Sequence, residues 1–310
     1  MIEVSVVIPT YNRKKLLQRV LKFLFEQNYP KDRYEIVVVD DGSDDGTDKM
    51  IESLSSPCRL VYFYQNRRGP HIARNSGIRN AQGEVIIFVD SDIFTPPNFI
   101  EEHMKFHRKF DDVVVSGPTV RTDKLTDVFS DIERRKRHEL LFNHSGPSLI
   151  TSNLSVRRKY LLKVGGFDEE FEGYGWHDWE LGLRLKKLGL KVKRNVEAIV
   201  YHYQEKRKLS DISSLCEKWR QRGINAVLYY KKHPSLKVKL NIGIHTLLLS
   251  RFIWWIDKDF GKKVLSSAEK NKSKFLLNLL INWKLSYVYA QGLREGMKKH
   301  KVRLLPWMQV

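Results

Sequence analysis

The chain of 310 residues is 42% hydrophobic and 29% charged, with Gly 18 and Pro 10. That composition excludes a disordered, collagen-like or low-complexity polymer. Two cysteines, Cys58 and Cys216, stand far apart with no CxxC spacing, which excludes a disulfide scaffold or zinc knuckle and fits a reducing compartment. The net charge of +19 is uneven: residues 1–205 carry 32 Lys/Arg against 30 Asp/Glu, and residues 206–310 carry 23 against 6. A near-neutral body, 1–205, is therefore expected to carry a basic region, 206–310, that meets something anionic.

Met1-Ile2-Glu3 lacks the basic opening of a secretory signal and leads straight into Val4-Ser5-Val6-Val7-Ile8. Val4–Ile8, Glu35–Val39, Leu60–Tyr64, Val85–Val89 and Val113–Val115 read as strands, and near-continuous apolarity implies that both faces are covered. Between the first two, Leu17, Val20, Leu21 and Leu24 share one helix face, with Asn12 as cap and Asn28-Tyr29-Pro30 as stop. This alternation predicts a doubly wound α/β fold with a mostly parallel sheet, whose ligands bind outside the carboxyl ends of the strands.

The residues at those ends share a chemistry. Pro9-Thr10-Tyr11-Asn12-Arg13, Asp40-Asp41-Gly42-Ser43 and Asp90-Ser91-Asp92 follow three successive apolar runs. Four aspartates in one crevice repel unless a cation or hydrogen-bond donors neutralise them, and a divalent metal shared with a phosphate-bearing substrate is the expected solution. Asp41 reads as a turn or cap residue or a partial substrate contact, and Arg67 and Arg68 read as solvated or as meeting the diphosphate.

Asp123–His144 is charged and helical in character until Ser145-Gly146-Pro147-Ser148 breaks it. His177-Asp178-Trp179-Glu180 opens a helix whose Leu181, Leu185 and Leu188 fall on one face, with Gly189 ending it. Asp178 lies in its first turn, where the helix dipole favours a charged carboxylate. After Leu190–Val192 and Ala198–Val200, His202 closes the body. The basic region reads as helical, with Trp254, Trp255 and Trp283–Tyr289 beside lysines. That pattern suits an anionic membrane interface, a packed helical subdomain with a basic rim, or an anionic polymer acceptor. Its best apolar stretch, Ile242–Ile256, is about 15 residues, short of the ~18–20 that cross a bilayer. A cytoplasmic protein, peripheral on the inner face of the membrane, is expected.

Taken together, Pro9–Arg13, Val39–Ser43, Ala73-Arg74-Asn75, Asp90-Ser91-Asp92 and Gly166-Phe167-Asp168 with Asp178-Trp179-Glu180 resemble family 2 glycosyltransferases of the GT-A fold. The later half is similar to a galactosyltransferase-type region, where an acidic pair precedes a Leu-x-x-Arg-Leu helix. The resemblance implies an inverting transfer from a nucleotide diphosphate sugar, UDP-linked by family frequency, to a hydroxyl of a glycan or lipid-linked acceptor in polysaccharide or glycolipid synthesis. By the same resemblance, Thr10 and Tyr11, with Pro9 beside them, would contact the nucleotide base, as would Asp40. Arg13 and Arg74 would lie near the base and diphosphate, and Asp90 near the ribose. Asp92 would bind Mn²⁺ or Mg²⁺, His202 would be a further metal ligand, and Asp178 would be the catalytic base.

Where the family shows Glu before that Asp, this chain has His177, which bears on acceptor choice or orientation. Trp176 and Trp179 read as either sugar-stacking or packing residues, and Asn153 as either a substrate contact or a turn asparagine. Two other classes fit less of the chain. A nucleic-acid-binding protein would use the basic region, yet no such motif is visible and no nucleic acid is expected as a partner. A sugar nucleotidyltransferase would open with a Gly-rich loop, which Pro9–Arg13 is not.

Overall fold

A computed structural model describes residues 1–142, 149–205, 211–258, 263, 267 and 274–304, with the side chains of 139–142, 255, 257 and 274 outside that description. The predicted break at Ser145–Ser148 and the side chain of Trp255 thus lie outside the described residues. The chain divides into two compact units. One comprises Met1–Glu169 with His177–Lys206, and the other comprises Glu170–Trp176 with Arg207–Val310.

The first unit opens with β1 (Val4–Thr10), α1 (Lys14–Phe25), β2 (Tyr34–Asp40), α2 (Thr47–Glu52), β3 (Arg59–Tyr64), α3 (Pro70–Asn80) and β4 (Val85–Val89). It continues with β5 (Ile93–Phe94), α4 (Phe99–Lys109), β6 (Val113–Ser116), β7 (Thr119–Thr122) and α5 (Ile132–Phe142). Then come β8 (Asn153–Arg157), α6 (Arg158–Lys163), α7 (His177–Lys187), β9 (Lys191–Arg194) and β10 (Val200–Tyr203). The seven-stranded sheet runs β3-β2-β1-β4-β8-β6-β9, and a three-stranded sheet runs β5-β10-β7.

β1, β2 and β4 are buried along their whole length, as continuous Val/Ile runs between helical layers should be. Leu17, Val20, Leu21 and Leu24 are the buried residues of α1. The sheet is parallel except at β8, which pairs antiparallel with both β4 and β6. α3 packs close to β1: a Cβ at Gly77 would come within 2.3 Å of a Val7 methyl carbon. That proximity fixes the helix carrying His71 and Arg74.

Asn12 does not cap α1. Its φ of 49° places it in the left-handed region, where its side-chain oxygen accepts from the Asp44 amide at 3.0 Å. The first turn of α1 is bonded instead from a distant loop, the Lys14 amide donating to Asp45 at 2.8 Å.

The second unit is helical: α8 (Ile212–Lys232), α9 (Leu236–Asn241), α10 (His245–Leu249), a 3₁₀ turn (Trp254–Asp257) and α11 (Lys274–His300). α8 and α11 meet at glycines, since a Cβ at Gly292 would lie 2.1 Å from the Arg220 carbonyl oxygen and one at Gly223 2.4 Å from that of Tyr289. Asn225 donates to the Glu172 carbonyl at 2.8 Å, tying the short segment Glu170–Trp176 to α8. No described helix is long and apolar enough to cross a membrane.

Candidate active site

The strand ends converge as the α/β topology requires. Parallel register sets Thr10 opposite Asp40. Asp40 is buried; its Oδ1 accepts from the Ser43 amide at 2.9 Å and its Oδ2 from the Tyr62 hydroxyl at 2.8 Å. Asp41 organises the loop before α3, accepting from the Gly69 amide at Oδ2, and from the Arg68 amide and Gln65 at Oδ1, all at 2.8 Å. Pro9 and Thr10 are buried, and Thr10 Oγ1 has no hydrogen-bond partner among the described residues. Arg67 is exposed yet not merely solvated: its guanidinium lies 4.0 Å over the Tyr11 ring and donates to the Tyr11 hydroxyl at 2.9 Å.

Beyond β4, Asp90 forms an ion pair with Arg74 and Asp92 one with Arg13. β5 begins directly after Asp92 and pairs antiparallel with β10, matching Ile93 with His202. That register brings His202 Nε2 to 3.2 Å from Asp92 Oδ2. Burial raises the proton affinity of Asp92, but the His202 ring and the Arg13 guanidinium outweigh it and hold the carboxyl below the usual carboxylate range.

Each of the four aspartates therefore has its own donors, and crowding by itself does not call for a metal. What points to a cation is narrower. Asp92 Oδ1 is buried with no partner among the described residues, on a carboxylate whose other oxygen lies 3.2 Å from the His202 ring nitrogen. No group of three or more His, Cys, Asp or Glu among the described residues is arranged to hold a metal. Asp92 and His202 still fit Mn²⁺ or Mg²⁺, because such ions commonly take one or two protein ligands and complete their shell with phosphate oxygens and water.

Arg74 is a second incomplete group. It is buried, its Nη2 serves Asp90, and its Nε and Nη1 find no partner among the described residues. An anion is the natural complement of two orphaned guanidinium N–H groups.

Asp178 occupies the first turn of α7 with its side chain 19% exposed. Thr151 Oγ1 donates to Oδ1 at 2.8 Å and the Thr151 amide reaches Oδ2 at 3.4 Å. His177 Nε2 stands 3.6 Å from Oδ1, and the buried His177 ring stacks on that of His71 with centroids 5.2 Å apart.

Residues 5–165, just over half of the chain, match Glycosyl transferase family 2, and residues 135–207 match the N-terminal domain of galactosyltransferase. The chain belongs to glycosyltransferase family 2. It is 29% identical to validoxylamine A glucosyltransferase of Streptomyces hygroscopicus subsp. limoneus, over 84% of this chain and 65% of that one. It is 26% identical to the uncharacterized Bacillus subtilis glycosyltransferase YfnE, over 69% of this chain and 70% of that one. Among solved structures, the mannosyltransferase PcManGT from Pyrobaculum calidifontis, in complex with GDP-Man and Mn2+, aligns with a TM-score of 0.61 at 18% identity, covering 96% of this chain and 87% of that one. S. aureus TarS 1-349 in complex with UDP aligns with a TM-score of 0.53 at 17% identity, covering 97% and 92%. At such identities the structural likeness establishes the shared fold, GT-A.

Within this family 2 glycosyltransferase two of the predicted acceptor contacts are engaged elsewhere. Asn153 is buried in β8; its amide donates to the carbonyls of Pro118 at 3.0 Å and Ala198 at 2.8 Å and accepts from His103 at 3.0 Å. Those bonds leave it a strand-tying residue rather than a turn or substrate residue. Trp176 belongs to the helical unit, where its ring stacks 5.3 Å from Tyr229 and its indole N–H donates to the Arg222 carbonyl at 2.9 Å. Trp179 is 48% exposed on α7. Sequence reasoning missed Thr151 and His71. Neither stands in a motif, and only folding brings them to Asp178 and His177.

Proposed function

We propose that this glycosyltransferase is metal-dependent and inverting, and that it moves a glycosyl unit from a nucleotide diphosphate sugar, UDP-linked in the first instance, to an acceptor hydroxyl on a glycan or lipid. The observation carrying this reading is the pairing of two incomplete groups, Arg74 and Asp92 Oδ1, with a carboxylate, Asp178, that Thr151 holds in place. Two fold relatives, one in complex with UDP and the other with GDP-Man and Mn2+, support a nucleotide-sugar donor.

The chemistry follows from the residues. Arg74 offers its unused N–H groups to the diphosphate, and Thr10, Tyr11 and Asp40 line the end where the base would lie. Asp178 accepts the proton of the acceptor hydroxyl as that oxygen bonds to the sugar C1, while the C1–O bond to the diphosphate breaks and its electron pair leaves with the nucleotide. One displacement inverts the configuration and needs no covalent nucleophile. A divalent ion at Asp92 and His202 would neutralise charge developing on the departing diphosphate.

The basic region supports a further part of the reading, contact with an anionic lipid surface from the cytoplasmic side. Residues 206–310 carry 23 Lys/Arg against 6 Asp/Glu, and Phe252, Trp254 and Phe275 are exposed. Co-sedimentation with phosphatidylglycerol vesicles but not phosphatidylcholine vesicles is expected, and equal partition would remove this part.

The deciding experiment is a donor panel with Mn²⁺ that follows nucleoside diphosphate release. One nucleotide sugar should give release that depends on the metal, and Asp178→Asn and Asp92→Asn should each abolish transfer. Full activity in both variants would refute the mechanism.

A further inference from the structure

The stack of His71 on His177 has no role in the steps above. The two rings are nearly parallel, 22° apart, and the residues are 1% and 8% exposed. His71 Nδ1 and Nε2 and His177 Nδ1 have no hydrogen-bond partner among the described residues. His177 Nε2, 3.6 Å from Asp178, lies beyond hydrogen-bonding distance. Buried polar atoms left unpaired are costly, and a pair serving only to pack would be better built from apolar rings.

The location assigns them a ligand. His71 lies one turn before Arg74 on α3, His177 Nε2 lies 3.6 Å from Asp178 Oδ1, and Arg74 pairs with Asp90. The stack thus lies among the carboxylate read as base, the guanidinium read as diphosphate partner, and the aspartate paired with that guanidinium. In a single displacement C1 lies between the attacking hydroxyl and the leaving oxygen, so the transferred sugar must occupy the space between those same groups.

We infer that His71 and His177 hydrogen-bond hydroxyl groups of the transferred sugar through their unpaired ring nitrogens, and so select the donor's glycosyl unit; the inference rests on the donor site proposed above. A neutral imidazole carries one N–H and one bare nitrogen, which match the donor and acceptor faces of a hydroxyl. Burial, the neighbouring His177 and Arg74 hold His71 down to about 4, so its ring is uncharged at neutral pH.

Calorimetric titration tests this with UDP, GDP, UDP-glucose, UDP-N-acetylglucosamine and GDP-mannose, each with Mn²⁺, in the absence of acceptor. His71→Phe and His177→Phe keep a ring for the stack and delete the nitrogens, while His71→Asn restores one polar group near Nδ1. The best nucleotide sugar should bind about tenfold or more weakly to both Phe variants, with its parent nucleoside diphosphate within about twofold of wild type, and His71→Asn should recover part of the loss. Unchanged nucleotide-sugar affinity or an equal loss of nucleoside diphosphate affinity would each overturn the inference while leaving the donor site standing. A wild-type chain that binds no nucleotide sugar at all would overturn the donor site and the inference together.

Discussion

Thr151 grips Asp178 at both carboxylate oxygens, with its hydroxyl at 2.8 Å and its amide at 3.4 Å. Two donors on one carboxylate fix its orientation, so Thr151 is a positioning residue for the proposed base. Thr151→Val removes the hydroxyl donor while keeping the shape. It should lower kcat about tenfold while leaving nucleoside diphosphate affinity unchanged. Thr151→Ser should restore the rate. An undiminished kcat in Thr151→Val would show that the hydroxyl does not position the base.

Arg74 supplies a second expectation. Its charge is balanced by Asp90, but Nε and Nη1 remain unused among the described residues. Arg74→Lys preserves the charge and loses the fork, so nucleoside diphosphate binding should weaken by about tenfold or more. Calorimetry with UDP at fixed Mn²⁺ reads the change, and undiminished affinity would remove Arg74 from the diphosphate site.

A third concerns stability in acid. His107 Nε2–H donates to Ser155 at 2.8 Å, the Ser155 hydroxyl donates to His103 Nδ1 at 2.8 Å, and His103 Nε2–H donates to Asn153 at 3.0 Å. This order of donors is the one that satisfies every bond with neutral rings. Burial pushes His103 down to about 4 and His107 down to about 3. The unfolded chain, with histidines near 6.5, therefore binds more protons below that pH. Stability is fully present above about 6.5 and falls as the pH drops toward 4, by up to about 1.4 kcal/mol per pH unit for each histidine. Urea unfolding at pH 7.5 and pH 5 should show the loss, and His107→Gln should make it smaller. An identical pH dependence in that variant would remove His107 as a source.

The fourth tests the glycine crossing. A methyl group at Gly292 would meet the Arg220 carbonyl oxygen at 2.1 Å, backbone against side chain, where no rotamer can relieve it. Gly292→Ala should destabilise the helical unit by about 1–3 kcal/mol despite its better helix propensity. Leu293→Met, a volume-conserving change at a buried neighbour, should cost less. Thermal unfolding of the two variants gives the comparison.

How much of this was legible depended on how local each signal is. β1, β2 and β4 announced themselves because strands covered on both faces are apolar throughout, and α1 because its four buried residues follow the helical period. Asp178 was placed correctly in the first turn of its helix because that turn is read from adjacent residues. The antiparallel insertion of β8 was not visible, since strand order is fixed by partners distant in sequence. The partners of Asn12, Trp176 and His71 were hidden for the same reason: Asp44, Tyr229 and His177 meet them only after folding.

The contact of α8 with α11 at glycine positions has a consequence for how the molecule is made. Backbone surfaces that touch through Gly223 and Gly292 offer no side chains to hold either helix alone. On the ribosome, α8 emerges with that groove bare, and it stays so until α11 has been synthesised and released from the exit tunnel. The nascent helical unit is thus consolidated only once α11 is available to pack.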